Sequence, residues 1–92
     1  MKIDERAFKS MRKQVKNYTN DNRHTEALIT IAQQIKNEDI LKSLCDIRDK
    51  QDQIGSMTES MNEARMTLYR NLKKVWKKIL SKDQQKKLHN AL

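Results

Sequence analysis

Apolar residues along the chain fall into phased groups separated by short polar stretches, and each group reads as helix. Phe8, Met11, Val15 and Tyr18 are spaced three and four apart, which sets them on one face of a helix over residues 4–18. Arg6, Lys9, Lys13 and Lys16 keep the same spacing on the opposite side. Thr19, Asn20, Asp21 and Asn22 follow, short polar side chains that compete for backbone hydrogen bonds and end the helix. A second helix is predicted over residues 23–36, with Leu28, Ile31, Ala32 and Ile35 as its buried stripe and Asn37 ending it in a left-handed conformation.

The next segment carries the longest pattern. Ile40, Ile47, Ile54, Met61, Leu68 and Val75 recur every seven residues and keep one apolar line along a helix. The companion seam of Leu44, Gln51, Thr58, Arg65, Leu72 and Ile79 is polar in its middle, so packing against shorter helices or a partner suits it better than a parallel zipper. Gly55 followed by Ser56-Met57-Thr58-Glu59 reads as a C-cap and a capping box, which would break the helix into a hairpin. The heptad phase runs through Gly55 unchanged, and Ser60-Met61-Asn62-Glu63 offers a competing box, so a continuous helix is the preferred reading and the hairpin its alternative. Ser81-Lys82-Asp83-Gln84 is a further capping signature, opening a short helix over residues 82–91.

The run from Ile79 through Leu88 resembles the Leu-Thr-x-x-Gln turn of periplasmic helical chaperones and metal-stress proteins, with Ser81 where that family has threonine. The resemblance covers ten residues and implies a long helix ending in a capped turn, with no function carried over.

Composition narrows the class. Proline is absent and Gly55 is the only glycine, so hairpin turns and phosphate-cradling glycine loops have no material to form from. With 92 residues, 36% of them hydrophobic and only four aromatic (Phe8, Tyr18, Tyr69 and Trp76), the expected fold is one all-α domain with a thin core. It has two short amphipathic helices packed on a long heptad-patterned one and a short final helix. Trp76, mid-stripe among Leu72, Ile79 and Leu80, should be buried. A forty-residue helix would extend about 60 Å, more than two short helices can cover, so self-association through Ile47, Ile54 and Met61 is expected, giving a dimer or larger homo-oligomer.

Charge is segregated. Residues 1–20 carry six Lys/Arg against two acids, residues 21–64 five against nine, and residues 65–92 nine against one. Within the last segment Arg70, Lys73, Lys74, Lys77 and Lys78 share an arc of about 140° at 100° per residue. That spacing suits a phosphate backbone or an acidic protein surface. The plainer reading is a solvated lysine face. No helix-turn-helix glycine turn and no RRM, KH or zinc-finger signature occurs, so nucleic-acid binding would be non-specific and phosphate-directed. Tyr69 and Trp76 could stack on bases, but core packing is the simpler role. Met57, Met61 and Met66 suit an adaptable surface or plain gap-filling. His24 and His89 read as surface residues and Cys45 as a small buried hydrophobe.

No catalytic motif is present, and the carboxylate pairs Asp46/Asp49 and Asp49/Asp52 sit beside Arg48 and Lys50 with no apolar surround. A non-enzymatic protein without cofactor or metal is expected. A lone cysteine and the lack of a signal peptide or membrane span point to the cytoplasm. The leading functional expectation is a basic helical binding or regulatory protein docking an anionic partner, nucleic acid first, through the α-helical face above and through Arg6, Lys9, Lys13 and Lys16. The alternative is a protein-binding regulator or inhibitor, of phage or mobile-element type, covering a site on a larger complex. A basic amphipathic helix on an anionic membrane is the weakest reading, since it takes apolar surface from a thin core.

Overall fold

The computed structural model describes residues 3–17 and 23–92, which form five α-helices: α1 (Glu5–Lys16), α2 (Arg23–Gln34), α3 (Glu38–Ile54), α4 (Glu59–Ile79) and α5 (Lys82–Ala91). Tyr18 and the polar turn expected at residues 19–22 lie outside the described residues. No helix among those described is long and apolar enough to cross a membrane.

α1 begins where the Asp4 carboxylate accepts the Ala7 N–H at 2.7 Å, with Glu5 in the first turn and Lys13 and Lys16 in the last, matching the helix dipole at both ends. It buries Phe8, Met11 and Val15, as the spacing predicts. α2 is more deeply buried than a single stripe would be: Thr25, Ala27, Leu28, Ile29, Thr30, Ile31 and Ala32 are all inside, whereas Ile35 is only half-buried. The reason is its place in the fold, in contact with α1, α3 and α4, and a helix packed on several sides must be apolar around most of its girth.

The end of α2 departs from expectation by one residue. Lys36, not Asn37, takes the left-handed conformation, at φ 57°. The Asn37 N–H reaches back to the Ala32 carbonyl at 3.0 Å and the Lys36 N–H to the Gln33 carbonyl at 3.2 Å, the paired bonds of a Schellman cap. Asn37 instead caps α3, its side chain accepting the Ile40 N–H at 3.3 Å. A side chain in the left-handed region costs roughly 1–2 kcal/mol, part of which glycine forfeits in unfolded-chain entropy. Lys36→Gly is therefore expected to raise stability by about 0.5–1 kcal/mol. A urea unfolding curve with unchanged slope and a higher midpoint would show it; a lower midpoint would mean that the lysine itself contributes.

The chain breaks at Gly55, so the continuous-helix reading is overturned. Gly55 has φ 74°, and its N–H closes α3 onto the Gln51 carbonyl at 2.8 Å. A Cβ there would meet nothing within 4 Å, so the glycine is required for its backbone conformation and not for space. The next helix is capped by Thr58, whose hydroxyl accepts the Met61 N–H at 3.2 Å, rather than by Ser56 or Ser60. The molecule measures 38 × 24 × 17 Å, too short for a straight helix of about 60 Å.

A seam through Ile47, Ile54 and Met61 needs a straight helix, and the turn at Gly55 removes it. Ile47 is buried within the chain and Met61 is half-buried across the α3–α4 groove. Ile54 stands alone at the end of α3, 55% exposed.

α4 and α5 meet at Leu80, and the Ser81–Gln84 capping box is complete: Gln84 donates its N–H to the Ser81 hydroxyl at 3.2 Å and accepts the Ser81 N–H at 3.0 Å. The amide of the buried Gln84 also donates to the Glu5 carboxylate, and the Ile3 N–H donates to the Ile79 carbonyl at 3.3 Å, so the start of α1 is fastened to the α4–α5 corner. Phe8, Met11, Val15, Ile31, Leu44, Leu72, Trp76 and Leu88 form the centre of the core. Trp76 is 2% exposed and meets Tyr69 edge to face, ring centroids 5.8 Å apart. Cys45 is half-buried at the edge of this core.

Candidate functional site

On α4 the helix geometry that buries Leu72 and Trp76 sends Arg70, Lys74 and Lys77 to the far side, since at 100° per residue these three lie about 120–180° from the core-facing pair. Arg70, Lys74, Lys77 and Lys78 are all exposed. Lys73 stands at the flank and is half-buried. On α1 the residues Arg6, Lys9, Lys13 and Lys16 are likewise exposed, opposite Phe8, Met11 and Val15.

These two basic faces lie on helices whose backbones do not approach closely, whereas α5 packs against both. Its own outward residues Lys82 and Lys86, opposite the buried Gln84, Leu88 and Ala91, add cations between the two faces. Sequence reasoning counted them in the charge balance without placing them at the site. The signal available was the i, i+4 spacing of Lys82 and Lys86 against Gln84 and Leu88.

Pairing separates the basic and acidic sides of the molecule. Among the described residues, none of the nine cations singled out on α1 and α4 forms an ion pair, whereas the acidic α3 has Lys50 on Asp46 at 3.1 Å and Arg48 at 3.7 Å from both Asp49 and Glu26. On α5, among the described residues, only Lys87 is engaged, with Asp83 at 3.1 Å. Exposed pairs of this kind are worth little to folding, so their distribution matters for the field outside the molecule. Cations without internal partners are the ones left to attract an external anion.

The polar members of the companion seam have separate roles. Thr58 is a cap, Gln51 is buried, and Arg65 is half-buried beside Tyr69, its guanidinium donating to Asn62 at 2.7 Å. Burial lowers the Arg65 pKa from its ordinary value. Among the described residues no group of three His, Cys, Asp or Glu side chains could hold a metal ion. No family model matches the chain, and no curated protein or solved structure matches it.

Proposed function

We propose that this chain is a non-catalytic helical binding protein that docks an anionic partner on the outer face of α4, with nucleic acid as the partner. The observation that carries the reading is the exposed row Arg70, Lys74, Lys77 and Lys78, opposite the core and without an ion pair among the described residues. The formal net charge of +8 supports it by drawing polyanions from a distance. With no base-reading motif, contacts go to phosphates, and affinity follows counterion release rather than sequence.

Fluorescence anisotropy with labelled duplex and single-stranded oligonucleotides of unrelated sequence, repeated over a salt series, tests the reading. The expected result is similar affinity for different sequences and a steep loss with salt. Folded protein without salt-dependent affinity for either form near physiological ionic strength would overturn it. Capture from the native host of a protein that survives nuclease treatment would then put the regulator or inhibitor reading first.

A further inference from the structure

A recess of about 410 Å³ opens where the first two turns of α2, the middle of α4 and the end of α5 converge. Its size falls within the range of about 300–1,000 Å³ usual for small-molecule sites. Leu28, Met66, Tyr69 and Leu92 supply its apolar lining, and Arg65, His24 and His89 its polar groups. No acidic side chain among the described residues lines it. Arg65 and Tyr69 lie one helical turn apart on the core side of α4, away from Arg70, Lys74 and Lys77, so the recess is separate from the basic outer face.

The apolar wall is partly fixed and partly adaptable. Tyr69 is held edge-on against the buried Trp76 at 5.8 Å, while Met66 is 39% exposed at the opening. Met66 has the flexible thioether that moulds to varied apolar ligands. At the polar end the only partner of the Arg65 guanidinium among the described residues is the neutral Asn62 side chain, at 2.7 Å. The rest of its donor fork is therefore uncommitted, and no described carboxylate lies within ion-pair distance. Half-buried and unpaired, the guanidinium gains from an anion delivered to it, and the planar fork matches a carboxylate through two parallel hydrogen bonds.

We propose that this recess binds a small organic carboxylate with an apolar body, its carboxylate on the Arg65 fork and its body over Leu28, Met66 and Tyr69. One guanidinium balances one negative charge, which favours a monoanion over a phosphate monoester. The imidazoles of His24 and His89 border the site and report its occupancy.

The test uses three probes of one shape and different charge: 4-phenylbutyrate, 4-phenylbutanol and 4-phenylbutylammonium. Each is titrated into the folded protein while the Met66 methyl, Tyr69 ring and histidine imidazole NMR signals are followed. The expected result is saturable shifts at these residues with 4-phenylbutyrate at low millimolar concentration, and binding at least about tenfold weaker for the other two. Arg65→Gln should erase that preference, and Arg65→Glu should reverse it toward the ammonium probe, with circular dichroism unchanged in both. Equal binding of the three probes would overturn the proposal, as would shifts that map elsewhere, the absence of saturable shifts, or a charge preference that survives Arg65→Glu.

Discussion

Trp76→Ala is expected to destabilise the protein by about 3–5 kcal/mol. The indole is 2% exposed, on the same face of α4 as the fully buried Leu72, and it is the largest side chain in the core. Its removal leaves a cavity that the neighbouring helices close only in part, and takes from Tyr69 its edge-to-face partner, itself worth about 0.5–1.5 kcal/mol. Native domains have only about 5–15 kcal/mol in total, and at 92 residues this one is small, so the variant should be close to unfolded at ordinary temperature. Urea unfolding followed by the far-ultraviolet helical signal measures the change, because the variant lacks its only tryptophan. In the wild type, iodide should quench the indole poorly. A midpoint shift equivalent to less than about 1 kcal/mol would show that Trp76 does not organise this core.

The second large effect concerns salt. If four phosphates of a duplex are contacted, log K should fall against log salt with a slope of about −3.6, from about −0.9 per contact. Between about 50 and 200 mM salt that is a loss of roughly 150-fold. Replacing Arg70, Lys74 and Lys77 with Gln removes three of those contacts and should flatten the slope to about −0.9, leaving only a three- to fourfold loss over the same interval. These three are the right positions because all are exposed, whereas the half-buried Lys73 would confound lost binding with lost packing. Glutamine keeps helix propensity, so the helical signal and urea midpoint should not move. The parallel variant Lys9→Gln, Lys13→Gln, Lys16→Gln asks whether α1 takes part. An unchanged slope there confines the interface to α4, and an unchanged slope in the α4 variant would refute the proposed surface.

Helix content and most boundaries were readable because they depend on local chemistry. Ser81 and Gln84 announce the start of α5 through side chains that reach their own backbone, and the structure forms that box while Gln84 also reaches Glu5. The turn at Gly55 was harder. A seven-residue repeat tells which side of a helix is apolar, not whether the line runs straight or doubles back, and Ile47 and Met61 border one groove in the hairpin while satisfying the same spacing. The depth of α2 was hidden for a related reason. Thr25 and Thr30 look like surface residues in sequence, yet a helix contacted by three others buries them, with Thr30 returning its hydroxyl to the Glu26 carbonyl at 3.1 Å. The basic face of α4 was readable from angular spacing alone. Its separation from the basic face of α1 was not, because the helix that intervenes, α5, comes last in the sequence. The recess at Arg65 gave no sequence signal, since His24, Arg65 and His89 come to line one recess only through the fold of three helices.

The link from Gln84 to Glu5, across 79 positions, bears on the order in which the molecule assembles. α2, α3 and α4 are joined by short turns and can associate with little loss of chain entropy, whereas α1 and α5 must first close almost the whole chain into a ring. Contacts of that kind are expected to form after the rate-limiting step. Glu5→Ala, which removes the acceptor and leaves the Ser81–Gln84 box intact, should therefore leave the refolding rate nearly unchanged and accelerate unfolding, as stopped-flow kinetics would record, so that the clasp sets how long the folded molecule lasts rather than how fast it forms.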